Sequence, residues 1–349
     1  MNRIESTSSF ETPVLFLIFN RADTAARVFE AIRKIRPKQL FIAADGPRST
    51  HPGDIEKCRA TREVTATIDW PCEVKRLYRE DNLGCGKGPA SAITWFFENV
   101  PEGIILEDDC LPTESFFYFC AELLERYRDD TRVMEIGGNN FEPNSARSRD
   151  FSYYFSSRTY IWGWATWRRA WKLYNFEMEH YPEIKRKGYL EEYFPHKYEQ
   201  EHYDYIHEKM FIGDSRTSRK TVWDYQWQFV ILINSGVVIV PEANLVTNLG
   251  FGNAATNTSD PVGAGHDLRP EELRFPLKHP DFVMIDQHRD RWYFDFICSS
   301  AASRMRSRIK NLIPRPIFNL ALPAYQSLRA LLSKDYARHA SRQGTASQI

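Results

Sequence analysis

Residues 103 to 109 read Gly-Ile-Ile-Leu-Glu-Asp-Asp, an apolar run ended without a break by three acids. A short apolar run of this kind fits a parallel strand buried on both faces. Working upstream, GPASAITWFFENV (88–100) predicts a helix and CEVKRLYRE (72–80) a strand. QLFIAADG (39–46) and PVLFLIF (13–19) predict two more strands, with a helix from Asp23 to Ile35 between them and another after the polar stretch PRSTHPGD (47–54). Downstream, TESFFYFCAELLERYRDD (113–130) has helical character. Alternating strands and helices imply an α/β fold with a mostly parallel central sheet and helices on both faces, and ligands of such sheets gather beyond the carboxyl ends of the strands. Asp45 and Glu107 to Asp109 stand at such ends.

Past about residue 150 the sequence becomes aromatic-rich and less periodic, which predicts a smaller lobe facing an acceptor. The expected organisation is therefore 1–150 as a ligand-binding α/β half, 151–299 as the acceptor-side half of the same domain, and 300–349 as a tail. That tail carries nine basic residues against one acid, Asp335, with apolar residues interleaved. Two readings stand for it: a basic amphipathic segment in peripheral contact with an anionic membrane, or a poorly ordered tail.

Composition narrows the class. With 42% hydrophobic and 26% charged residues the chain is an ordinary globular one, and 46 basic against 46 acidic residues give no global attraction to nucleic acid. Six cysteines are scattered without CxxC pairs, so they read as reduced thiols in a cytoplasmic protein, with the cytoplasmic face of a membrane as the other location the tail allows. The first residues have no apolar core like that of a secretion signal, and the longest apolar stretch, 229–240, is broken by Asn234, Ser235 and Gly236.

Three adjacent acids on a rigid strand repel one another, so a cation or sugar hydroxyls would relieve them. Hard oxygen ligands favour Mn²⁺ or Mg²⁺, and one metal ligand plus sugar contacts is the expected arrangement. The plain alternative is a solvated strand end leading into a helix that Thr113 caps.

Five segments in order carry a resemblance: Asn20-Arg21, the strand-end Asp45, Leu106 to Asp109 followed by FFYF, WGWATW (162–167) and VWDYQW (222–227). Together they resemble the GT-A fold glycosyltransferases over roughly residues 13 to 255. Within these the pattern looks most like N-acetylglucosaminyltransferase I and bacterial family 2-like or hemolysin-like relatives. The resemblance implies a Rossmann-like sheet, a nucleotide-sugar donor of the UDP type and a glycan or lipid-linked acceptor, as in the building of cell-surface polysaccharide. It implies that Asp109 binds the metal, that Glu107 and Asp108 contact the transferred sugar, that Arg21 and Asp45 hold the nucleotide, and that Asp224 is the base. PEANLVTNLGFG (241–252) resembles a family stretch preceding a closing loop, but Asn244, Leu245 and Val246 depart from its polar cluster.

Each residue has a plainer reading. Arg21 can be a surface arginine, Asp45 a turn residue in AADGP, and Asp224 the N-cap of QWQFVILIN. Trp162, Gly163, Trp164 and Trp223 suit a sugar platform, whereas Trp164, Trp167 and Trp171 have the spacing of a helical core face. NLGCGKG (82–88) is not a Walker A loop, but Lys87 could reach a donor phosphate. His196, His202 and His207 read as a polar face, without metal-ligand spacing. Two rival functions are a nucleotidyltransferase, which needs a glycine-rich loop absent after the first strand, and a membrane-associated binding protein with a decayed site.

Overall fold

The computed structural model describes residues 10–142, 150–194, 196–213, 222–250 and 268–298. The chain divides into two units, Met1–Ile297 and Cys298–Ile349, and everything below concerns the first; the tail expected at 300–349 lies outside the described residues. In chain order the elements are β1 Val14–Ile18, α1 Ala22–Ile35, β2 Gln39–Ala44, α2 Asp54–Glu63, β3 Glu73–Tyr78, α3 Gly84–Asn99 and β4 Glu102–Glu107. Then follow β5 Cys110–Pro112, α4 Glu114–Arg126, β6 Val133–Gly137, β7 Tyr153–Ser156, β8 Trp164–Trp167 and α5 Arg168–Trp171. Helices α6 Tyr181–Lys187, α7 Tyr189–Tyr193, α8 Lys197–Ile212 and α9 Asp224–Ile233 precede β9 Val237–Pro241, β10 Val246–Asn248 and α10 Gln287–Tyr293.

Eight strands form one sheet in the order β3-β2-β1-β4-β8-β6-β9-β7, with β10 and β5 pairing separately. Strands β3, β2, β1 and β4 are mutually parallel, β8 runs against both its neighbours, β6 and β9 are parallel, and β7 is antiparallel to β9. This is the expected α/β architecture: a mostly parallel, Rossmann-like sheet with helices on both faces. Its order changes direction at β1, so the crevice beyond β1 and β4 is where a ligand belongs.

Alternation along the buried strands sends side chains to two cores. Val14, Phe16 and Ile18 of β1 join Val28, Phe29 and Ile32 of α1 and Phe116 and Phe119 of α4 on one face. Leu15 and Leu17 join Ile93, Phe96 and Phe97 of α3 and Trp227 and Ile231 of α9 on the other. The region after residue 150 adds β7, β8 and β9 to this same sheet.

Three local expectations are corrected. The tryptophans 164, 167 and 171 do not line one helix, since Trp164–Trp167 is strand β8 and only Arg168–Trp171 is helical; β-pairing to β4 and β6 outweighs an i, i+3, i+7 spacing. Helix α3 starts at Gly84, four residues before the expected start, so that Pro89 falls inside it as its sixth residue. His207 is no polar-face residue: it is fully buried among Tyr181, Tyr203 and Phe229, and burial depresses its pKa to about 4.

Candidate active site

Because β1, β2 and β4 run the same way, the residues that follow them emerge along one sheet edge. Strand β8 is antiparallel to β4, with Ile105 opposite Trp164, so its amino end meets the carboxyl end of β4. Inverting one strand thus brings the aromatic segment Ile161–Trp162 beside the acids. The result is a cavity of about 340 Å³ lined by, among others, Arg21, Asp45, Glu107, Asp108, Asp109, Trp162, Trp223 and Asp224. A larger recess of about 460 Å³, around Arg59, Arg62 and Arg76, lies away from these acids.

Arg21 Nη1 donates to Asp109 Oδ2 at 2.7 Å, and its Nε lies 3.5 Å from Asp108 Oδ1. Burial disfavours its charge, but Asp108 and Asp109 outweigh that and hold its pKa above the ordinary value. The backbone N–H of Phe19 donates to Asp108 Oδ2 at 2.9 Å. Burial, then the neighbouring acids, pushes the Glu107 carboxyl up. Burial also raises Asp108, with Arg21 opposing. Asp224 is raised by burial, held back by N–H groups at the start of α9, and among the described residues its Oδ1 has no hydrogen-bond partner. It does not take the N-cap position of α9, which falls to Trp223. Thr113 does take the N-cap position of α4, but its side chain caps no amide, and the acid run is no solvated lead into that helix, since Asp108 and Asp109 are buried. Strand β5 intervenes, and the first amides of α4, Glu114 N and Ser115 N, donate to Glu272 at 3.2 and 2.9 Å.

Asp45 is neither a free turn residue nor an open carboxylate. It accepts from Leu83 N, Gly84 N and Asn82 Nδ2, all at 3.0 Å, and so ties the start of α3 to the end of β2. Burial raises its pKa while those N–H groups restrain it. Lys87 is exposed on α3, its Nζ 5.8 Å from the Phe176 ring centre, and is not among the cavity's lining residues. Trp164 likewise does not line it. Its ring is buried in the core and stacks on Trp223 at 5.5 Å, backing that residue. Gly163 sits at φ +65°, where an added Cβ would lie 3.0 Å from Val246 and 3.1 Å from Leu106, so its need is packing and backbone conformation. Trp162 and Trp223 are the platform residues that reach the cavity.

Two lining residues, Arg48 and Arg79, escaped sequence reasoning, whereas Asn82, Gly84 and Gly88 belong to the NLGCGKG stretch and Asn248 and Gly250 to the 241–252 stretch that the sequence singled out. Arg48 looks like part of a polar loop, yet Asp54 grips it at 2.6 Å (Nε) and 3.0 Å (Nη2), Asn20 Nδ2 steadies Asp54 at 2.9 Å, and the guanidinium lies 5.5 Å from the Phe19 ring centre. Asn248 and Gly250 arrive through the β10–β5 pairing, in which Asn248 faces Cys110. Asn244, which departs from the family pattern, is buried and accepts from Asn140 N at 3.0 Å, while Leu245 and Val246 pack in the core. The end of that stretch, residues 251 and 252, lies outside the described residues.

Among the described residues no group of three or more His, Cys, Asp or Glu side chains is arranged to hold a metal ion. A cage made by protein alone is therefore absent there. A cation held by Asp109 and completed by ligand oxygens fits the donor set, since the acids 107 to 109 and 224 outnumber the arginine that contacts them and repel one another.

Fold and site together define an α/β protein with an acid-rich, aromatic-walled cleft at the carboxyl ends of its parallel strands. No protein-family model matches the chain, and no curated protein matches it. Among solved structures it is similar to TarS 1–349 of S. aureus, with a TM-score of 0.35 and 9% identity over 68% of this chain. The match spans 60% of that structure. A likeness this weak carries no weight for function.

Proposed function

We propose that the protein is a metal-dependent glycosyltransferase that moves a sugar from a UDP-sugar, of the UDP-N-acetylglucosamine kind, to a hydroxyl of a glycan or lipid-linked acceptor with inversion. One observation carries the reading: Arg21, Glu107, Asp108, Asp109, Trp162, Trp223 and Asp224, drawn from distant parts of the sequence, line a single cavity. Asp109 would hold Mn²⁺ or Mg²⁺, which when bound supplies neutralisation of charge on the leaving diphosphate. Arg21 bonds the acids and faces the same diphosphate. Glu107 and Asp108 orient the sugar hydroxyls, Asp45 and Arg48 border the nucleotide end, and Trp162 and Trp223 give the acceptor an apolar wall. Asp224 takes the proton from the acceptor hydroxyl, whose oxygen attacks the anomeric carbon from the side opposite the diphosphate; its desolvated, raised carboxyl suits that task.

Calorimetry of UDP with and without Mn²⁺, followed by a screen of UDP-sugars for hydrolysis and thermal stabilisation, tests the reading. Binding of UDP that needs the metal is expected. Failure of every nucleotide sugar to bind would end it. Among the described residues no helix is long and apolar enough to cross a membrane, and the intact acids offer nothing to the decayed-site reading.

A further inference from the structure

Glu135, on β6, is fully buried and lines no part of the cavity. The register of β6 against β9 slips here: Val133 pairs with Val237 and Glu135 with Val238, leaving Met134 as an extra residue. Such a bulge re-aims side chains. Met134 packs in the tryptophan-rich core, and Glu135, which simple alternation would send to the opposite face, meets two residues of that same core. Its Oε1 accepts the Tyr160 backbone N–H at 2.6 Å and its Oε2 accepts the Trp227 indole N–H at 2.7 Å. Burial pushes its pKa up to about 7, opposed only by these two donors.

The two donors lie in the core behind different lining segments of the cleft, Ile161–Trp162 and Val222–Asp224. Trp227 lies three residues beyond Asp224 on α9, and Tyr160 lies two residues before Trp162. We propose that Glu135 is a positioning residue that fixes the helix bearing Asp224 to the segment bearing Trp162, so that base and acceptor wall are held as one unit. This rests on Asp224 acting as the base. A glutamine cannot substitute, because its NH₂ would face one of two N–H donors at a fully buried position.

The test is Glu135→Gln in the full chain, labelled with ¹⁵N at tryptophan, with Mn²⁺-dependent hydrolysis of UDP-N-acetylglucosamine as the activity. A fall in kcat of about tenfold or more is expected while KM stays within about twofold, since alignment and not donor binding is lost. The indole N–H signals of Trp227, Trp223 and Trp162 should move, while that of Trp70, in the opposite core, stays. Unchanged kcat, or movement confined to Trp227, overturns the proposal. Should Glu135→Gln fail to fold, Trp227→Phe removes one donor alone and is read by the same kcat and KM criteria. A wild-type chain that binds no nucleotide sugar sinks the glycosyltransferase reading only; the tryptophan signals then decide the coupling by themselves.

Discussion

The proposed function gives Asp109 and Asp224 different work in the same cavity, and single substitutions should separate them. Asp109→Ala removes the carboxylate that faces Arg21 at 2.7 Å and should abolish metal-dependent UDP binding in calorimetry. Asp224→Asn keeps shape and donor binding but cannot accept a proton, so turnover should fall by about 10²–10⁴-fold with UDP affinity held; equal loss of both would remove it from the role of base. Arg48 is the residue-scale surprise. Nothing in PRSTHPGD marks it as a cleft residue, because its placement depends on Asp54 and Phe19 meeting it in space. The acids 107 to 109 were legible because a charge run directly after a buried strand has few places to go. Lys87 and Trp164 misled for the opposite reason: a glycine-flanked lysine and a tryptophan beside Gly163 look alike in sequence whether they face a ligand or pack away from it.

Among elements, the inverted strand β8 decides the site. Unbroken apolar runs identified β1, β2 and β4, and the strand–helix order identified β3, but helical spacing gave the wrong element for Trp164–Trp167, whose partners are β4 and β6. The carboxyl end of β6 passes so close to the entry of β8 that Gly138 N donates to Gly163 O at 2.8 Å. A Cβ at position 138 would stand 2.5 Å from that same oxygen, which is backbone and cannot swing aside. Gly138→Ala should therefore destabilise the fold by about 1–3 kcal/mol, seen as a lower midpoint in urea with unchanged slope, and should weaken turnover by displacing Trp162.

For the molecule as a whole, buried acids set an uncommon pH dependence. Glu135 titrates near 7 in the folded chain against an ordinary 4.5, and Glu107, Asp108 and Asp224 shift the same way. For a carboxyl whose folded pKa is raised, stability is fully present below the unfolded pKa and is lost as pH rises through the folded value. The melting temperature should accordingly fall between about pH 5 and pH 8. Asp54, held low by Arg48, acts in the opposite sense and costs stability only in stronger acid. Mn²⁺ with UDP should raise the melting temperature more at pH 8 than at pH 6, because a bound cation compensates carboxylates that are ionised; a flat profile without ligand contradicts the burial of these charges.

Asp109 follows β4 and Trp162 precedes β8, directly paired neighbours in one continuous sheet. Jaws mounted on a single plate do not swing apart as two hinged bodies do, so the β4–β8 pairing limits how far Asp109 and Trp162 can separate. On the proposed function, sugars and acceptors would be sorted by whether they fit that width, and bulky variants should be refused at the entrance instead of being accommodated by opening.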